Sequence, residues 1–355
     1  MTDTLNIEVT ETKHSRIGEV NPENMPFGKY FSDHMFIADY RDGEWTDLRI
    51  VPYGSLSMSP AISALHYGQS IFEGMKAHKS GRGEVLLFRP LENFRRFNSS
   101  AERMCMPAVP EKIFMDALIQ LVRLDSKWVF PNDGCSLYIR PVMFATDEFI
   151  GVRESSTYRL IIFTCPVGFY YKEPVKVLIE TKYARAFEGG IGFTKAAANY
   201  GISLYPTRLA REKGYHQIIW TDAKEHKYIE ESGVMNVMFV INNTLITPSL
   251  AGKTILPGKT RDTIIAIAKD WNMKVEERKI SVSEIMEALQ QQKLQEAFGA
   301  GTAATVAPIA VIGYNGKDYI LPPATENSFS QRVAKHLTRV RKGEEADIHN
   351  WVFKV

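Results

Sequence analysis

The chain has 355 residues, of which 45% are hydrophobic and 24% charged, with a formal net charge of +2. That length and apolar content suit two domains with a sizeable core. Interspersed, nearly balanced charge gives no reason to expect nucleic acid or an anionic membrane as partner, and no apolar run reaches the roughly 18 residues of a membrane span.

The N-terminal stretch carries Asp3, Glu8, Glu11 and Lys13. It has neither the basic start and apolar core of a secretory signal nor the arginine-rich, acid-poor make-up of a transit peptide. Residues 1–24 are polar and expected to be loosely ordered at the start. Cys105, Cys135 and Cys165 form no CxxC pair and no zinc spacing. Such a sparse, odd set reads as reduced thiols, and a cytoplasmic protein is expected.

No repeat or low-complexity tract is present. Short β-branched or aromatic runs predict strands at 85–88, 136–140 and 158–163. Helical spacing joins Phe94, Phe97, Ala101 and Met104, and again Ile113, Ala117, Leu121 and Leu124. Pro166, Gly168 and Pro174 break the pattern and mark a linker at 166–175. The expected division is therefore a domain at 1–165 and another at 176–355. Strands follow at 175–180, 216–221 and 235–241, and helices at 260–271, 281–291 and 327–341. Ser281 and Glu284 are spaced as a capping box, and Asn327 is placed to cap the last helix. The mixture is α/β but irregular, not the repeating βαβ series of a doubly wound sheet.

From Gly189 to Thr207 the only charged residue is Lys195, set among glycines, alanines and apolar side chains. A lysine with little water around it loses its ammonium form more readily, and a neutral amine attacks carbonyls. Two readings stand at this point: a lysine snorkelling to the surface, or one that forms a Schiff base with a substrate or with pyridoxal phosphate.

The second reading needs an acid for the pyridine nitrogen, donors for a phosphate and a pocket for an amino-acid carboxylate. Glu230 and Glu231 precede a glycine turn and an apolar strand, where either could point inward or solvate a loop. Leu256-Pro257-Gly258-Lys259-Thr260 leads into a helix, and such a helix start suits an anion. Gly299-Ala300-Gly301-Thr302 is a second turn with free amides. The Gly258-Lys259-Thr260 triplet is no P-loop, because Gly252 leaves five intervening residues instead of four. Tyr138 and Arg140 alternate onto one face of a strand and together suit a carboxylate, unless Arg140 is a surface residue on an edge strand.

Taken in order, these motifs resemble the branched-chain amino-acid aminotransferases of pyridoxal-phosphate fold type IV. The resemblance runs from about Phe27 nearly to the C-terminus. It rests on Phe27 to Met35, Ala64 to Gly68, Phe72-Glu73-Gly74-Met75-Lys76-Ala77, Tyr138 to Pro141, Tyr183-Ala184-Arg185-Ala186, Lys195 with Asn199-Tyr200-Gly201, Glu231 to Asn236, Leu256 to Arg261, and Gly299 to Ala303. It implies a two-domain α/β enzyme (mixed α+β), with a small N-terminal α/β domain and a larger C-terminal pseudo-barrel domain that binds the cofactor.

The resemblance also implies roles. Lys195 would form the internal aldimine with pyridoxal 5'-phosphate and shuttle the proton at Cα. Glu231, not Glu230, would pair with the pyridine nitrogen, and Tyr200 would bond the ring hydroxyl. Arg96, Thr260 and Thr302, with amides near Lys259, would hold the phosphate. Amides at Ala303 and Ala304, helped by Tyr67, would take the α-carboxylate. Phe27, Tyr138, Tyr170 and Val234 would wall the branched side chain, with Tyr67, Ile150 and Val152 reaching in from the second subunit of a homodimer. Arg140 would accept the distal carboxylate of glutamate.

The implied reaction is reversible transamination of L-leucine, L-isoleucine or L-valine with 2-oxoglutarate, ping-pong through pyridoxamine phosphate. Vertebrate members carry a CxxC pair where this chain has Ala304 and Ala307, so no thiol switch is expected there. Val234, where those relatives have threonine, makes the pocket slightly more apolar. The rival readings are a D-amino-acid aminotransferase or an aminodeoxychorismate lyase of the same fold, and a pyridoxal-phosphate-binding protein without catalysis.

Overall fold

The computed structural model describes residues 5–171 and 173–355; Met1–Thr4 and Lys172 of the predicted linker lie outside them. The chain forms two compact units. The first runs to Tyr170 and also takes Thr194–Ala197 and Thr338–Val355; the second takes Tyr171–Phe193 and Ala198–Leu337.

The first unit is built on a nine-stranded sheet. From one edge its main path runs Glu8–Val9, Glu44–Pro52, His34–Arg41, Tyr158–Val167, Ser136–Ala145, Met75–Lys79, Val85–Phe88 and Val352–Lys354, and Ser70–Phe72 pairs beside Ser136–Ala145. Strand 85–88 is as expected, whereas the strands expected at 136–140 and 158–163 run on to Ala145 and Val167. The two full strands pair residue for residue, Ser136 with Val167 through to Ala145 with Tyr158, so each extension lies against the expected part of the other strand.

Helices Pro90–Arg103 and Glu111–Leu124 carry the apolar faces read from the sequence. Phe97 and Phe114 are fully buried, with ring centres 5.7 Å apart. Burying each such side chain contributes about 1.5–3 kcal/mol. A buried polar network fixes the start of the sheet. His34 Nδ1 lies 2.6 Å from Asp125 Oδ1, and Asp33 accepts from Ser15 Oγ, the Arg16 amide and Trp128 Nε1. Burial alone would raise the Asp33 carboxyl; these donors outweigh it and hold it below its usual range.

The second unit contains a closed ring of six strands. In order they are Ile229–Ser232, Gln217–Thr221, Val175–Ile179, Thr305–Tyr314, Leu294–Gly301 and Met235–Ile241, which pairs back to Ile229–Ser232. Val175–Ile179 is parallel to both neighbours and the other pairings are antiparallel. This is the expected pseudo-barrel, and closure leaves these six strands without a free edge. Val177, Ile219, Val237, Phe239 and Ile309 pack with Ile285 and Met286 of helix Val282–Gln290.

Ser281 Oγ accepts from the Glu284 amide at 3.0 Å, half of the predicted capping box. The Glu284 carboxylate turns instead to Arg278. The helix expected from 327 is Phe329–Arg341, and Asn327 does not cap it. Its first amides, Phe329 and Ser330, donate to the Glu296 carboxylate at 2.6 and 2.9 Å. A full carboxylate at a helix N-terminus does this better than a neutral amide side chain.

Candidate active site

Lys195 belongs to the first unit by its backbone. The Phe72 amide donates to the Lys195 carbonyl at 3.0 Å, the Ala197 amide donates to Ser70 at 2.9 Å, and Ile71 bridges Ala196. The Lys195 amide donates to Ser100 Oγ at 3.0 Å. A segment far along the sequence is thereby laid as an extra edge on strand Ser70–Phe72. The side chain is half-buried, with Nζ 4.8 Å from the centre of the Phe72 ring.

The Arg140 guanidinium lies over the same ring, at 4.4 Å. Its strand is interior to the sheet, paired on both sides, so the surface-edge reading of Arg140 does not hold. Tyr138 and Arg140 share a face as the alternation predicts, and Arg140 Nη2 donates to the Tyr138 hydroxyl at 3.1 Å. Arg140 Nε is buried without a hydrogen-bond partner.

Phe27 stands edge-on to Tyr138 at 4.9 Å and to Tyr170 at 5.2 Å, so three of the four predicted wall residues meet. Gly74 makes room for Tyr138. A Cβ there would lie 2.1 Å from the Tyr138 hydroxyl.

Arg96 is buried at 5% exposure and locked to Glu73, which has none: Nε to Oε1 is 2.7 Å and Nη2 to Oε2 is 3.0 Å. The sequence pointed to Arg96 but not to Glu73. Its signal was a single charge inside the apolar run Ile71 to Met75.

Tyr67, Ile150 and Val152 are exposed, at 42%, 70% and 90%. Their segments are tied together, since the Ser63 amide donates to the Asp147 carbonyl and Ile62 bridges Glu148. Leu65 and Phe149 add further exposed apolar surface on those segments.

The second unit holds the remaining predicted residues. Thr221 pairs with Ile229 and Ile219 with Ser232, so strand Ile229–Ser232 carries one extra residue there. Such a bulge re-aims side chains. Both carboxylates are buried, and both bond the Thr254–Leu256 segment: the Leu256 amide donates to Glu231 Oε1 at 2.6 Å, and the Thr254 hydroxyl bonds Glu230. Arg185 Nε lies 3.4 Å from Glu231 Oε2, while its Nη groups reach the Gly192 and Thr254 carbonyls. In the sequence Arg185 stands out only as part of the motif Tyr183-Ala184-Arg185-Ala186.

Glu231 pairs with Asn236 across the sheet, and Asn236 with Ala300. Asn236 Nδ2 also donates to the Leu256 carbonyl at 2.9 Å, holding the turn that enters helix Lys259–Asp270. The N-cap is Gly258, where a Cβ would lie 1.9 Å from Asn236 Oδ1. The first-turn amides at Lys259 and Thr260 lie at the positive end of the helix dipole, which suits a phosphate. Thr302, Ala303 and Ala304 form the loop of the hairpin closed by the Gly301–Thr305 pair. Tyr200 is half-buried on the short helix Ala198–Gly201, and Val234 is 45% exposed in the turn after Glu231. A buried carboxylate braced by arginine, with hydroxyl and amide donors at two turns, fits a pyridine phosphate ester.

The sequence pattern of the family described as amino-transferase class IV matches residues 70–312. A branched-chain-amino-acid aminotransferase of Bacillus subtilis is 43% identical over 356 aligned residues, covering 99% of this chain and 97% of the relative. A branched-chain aminotransferase structure from Thermoproteus uzoniensis, with norvaline, aligns over 90% of this chain and 99% of that one, with a TM-score of 0.75 and 26% identity. The Escherichia coli branched-chain amino acid aminotransferase aligns over 90% and 98%, with a TM-score of 0.73 and 26% identity.

Proposed function

From the premise that the chain belongs to the class IV aminotransferases, we propose that it is a branched-chain-amino-acid aminotransferase acting through the residues described above. It transfers the amino group reversibly between L-leucine, L-isoleucine or L-valine and 2-oxoglutarate, by ping-pong kinetics. The near full-length likeness to branched-chain enzymes supports the substrate class, and a D-amino-acid or lyase activity is not favoured. Within this chain the observation that carries the reading is Phe72, flanked by one amine and one guanidinium, Lys195 and Arg140.

Pyridoxal 5'-phosphate, the cofactor of this family, supplies an electron sink and a carrier for the amino group. Lys195 moves the proton at the substrate Cα, and its backbone anchors fix where that amine can reach. Glu231 holds positive charge on the pyridine nitrogen, oriented by the Leu256 amide and Arg185. Tyr200 bonds the ring hydroxyl. Thr260, Thr302, Arg96 and amides at Lys259 take the phosphate, and Glu73 keeps Arg96 in position. The Ala303 and Ala304 amides, with Tyr67, take the α-carboxylate. Phe27, Tyr138, Tyr170 and Val234 exclude water from a branched side chain, and Arg140 takes the distal carboxylate of glutamate.

A homodimer is part of this proposal. Leu65, Tyr67, Phe149, Ile150 and Val152 lie on two joined segments of exposed apolar surface, and a second copy would cover them. A cytoplasmic setting is also proposed. The three cysteines are free, which suits a reducing compartment.

The test is spectroscopic. With pyridoxal phosphate added, the purified protein should absorb in the visible, L-leucine without any oxo acid should remove that band, and 2-oxoglutarate should restore it. Lys195→Ala should show no such cycle, and D-leucine should do little. A protein that acquires no visible band with added cofactor would overturn the reading.

A further inference from the structure

Asp33 and His34, within the Phe27 to Met35 motif, have no part in the chemistry above; they hold the N-terminal arm. The arm runs along strand Glu44–Pro52 of the first unit. Its own strand, Glu8–Val9, pairs with Arg49 and Ile50, and the Thr10 amide donates to the Ile50 carbonyl at 2.9 Å. The Leu5 amide donates to Asp116, and Ile7 is buried.

Two adjacent residues then anchor it. The Thr12 amide donates to His34 Nε2 at 2.9 Å. Ser15 Oγ and the Arg16 amide donate to the Asp33 carboxylate at 2.6 and 2.9 Å.

The first anchor fixes the state of the histidine. A backbone amide only donates, so Nε2 must offer a lone pair and the ring proton sits on Nδ1. That proton goes to Asp125 Oδ1 at 2.6 Å, while Asp125 Oδ2 accepts from the His34 amide at 3.0 Å. The imidazole is therefore neutral while the arm is docked. A second proton can enter only at Nε2, the atom that Thr12 occupies.

We propose that the arm is held by an acid-sensitive latch: a proton from solvent on His34 Nε2 turns that atom from acceptor to donor, expels the Thr12 amide and frees residues 5–13 from the edge of strand Glu44–Pro52. Protons bind the undocked form and not the docked one, so acid draws the equilibrium toward undocking by up to about tenfold per pH unit. Histidine side chains change charge between about pH 5 and 8.

The charges around the ring favour that proton. Asp125 bonds it and Asp33 is its neighbour in the chain. The nearby cations are turned elsewhere: Arg16 to the Ser32 carbonyl and the Tyr53 ring, Lys79 to the Ser126 carbonyl, and Arg49 to Asp39 and Asp47. Glu8, Glu11, Lys13 and His14 of the arm are exposed. The second anchor does not follow the first. Against burial, its donors hold the Asp33 carboxyl below its usual range, so it stays ionised and keeps Ser15 and Arg16.

The test is hydrogen exchange read by mass spectrometry on the cofactor-loaded protein at pH 8 and pH 5.5, corrected for the intrinsic pH dependence of exchange. Protection of residues 5–13 should fall at least tenfold at the lower pH, while that of residues 15–24 holds. His34→Asn keeps a donor for Asp125 but leaves no acceptor for Thr12, and its arm should exchange fast at both pH values. His34→Gln can reach Thr12 with an oxygen that takes no proton, and its arm should not respond to pH. The two segments of the unaltered protein decide the matter even if a variant fails to fold. Equal protection of residues 5–13 at both pH values, an equal loss over residues 15–24, or a pH response retained in His34→Gln would each overturn the proposal.

Discussion

Phe72 holds Lys195 twice, once through its amide to the lysine carbonyl at 3.0 Å and once through its ring, 4.8 Å from Nζ. The backbone bond fixes where the lysine starts and the ring biases where its amine ends. Phe72→Leu keeps the amide and most of the apolar bulk but removes the negative face of the ring. A cation over an aromatic face contributes about 0.5–2 kcal/mol. The variant should lose roughly 2- to 30-fold in kcat/KM, in steady-state assays with L-leucine. Unchanged kinetics would mean that the ring does not position the amine.

Gly74 and Tyr138 cannot both keep their places once a methyl is added. The added carbon of Gly74→Ala would sit 2.1 Å from the Tyr138 hydroxyl, which Arg140 uses as its acceptor. The tyrosine must move, at a cost of about 1–3 kcal/mol in stability. Since the glutamate carboxylate is assigned to Arg140, KM for 2-oxoglutarate should rise more than KM for a branched oxo acid. Equal changes for both would remove Arg140 from that role.

Glu73 and Arg96 form an ion pair with almost no exposure. Removing one partner leaves a buried charge uncompensated, which typically costs about 3–5 kcal/mol. Glu73→Ala should lower the thermal midpoint strongly. Because Arg96 is assigned to the phosphate, it should also release pyridoxal phosphate more readily on dialysis. A variant that is destabilised yet retains cofactor as before would confine Glu73 to a structural role.

Much of this was legible in the sequence because the signals were local. Alternation placed Tyr138 beside Arg140, and the apolar stripe of helix Glu111–Leu124 named its buried face. What escaped was set by distant partners. Nothing near Asn327 announces that Glu296, on a strand, will take the amides of the last helix. Nothing around Lys195 announces that Thr194–Ala197 will pack with the first unit. Between Glu230 and Glu231 the residues alone leave the choice open and only the family resemblance picks Glu231, because the amide that bonds it comes from Leu256, 25 residues along the chain.

Lys76 offers a prediction with a definite sign. It is 9% exposed, and burial first, with the charge of Arg341 second, pulls its ammonium down to about 7. In the unfolded chain a lysine titrates near 10.4. Between these values the unfolded form binds a proton that the folded form does not, so stability rises with pH there. The contribution is complete above the unfolded value and is lost as pH falls through about 7. The slope from one such group is at most about 1.4 kcal/mol per pH unit. Lys76→Met removes the titration while keeping the volume. Thermal unfolding of both proteins at pH 7.5 and pH 9 should show the unaltered protein gaining on the variant at the higher pH. If the difference between them is the same at both, Lys76 remains charged in the folded protein across that window, and an anion must compensate it.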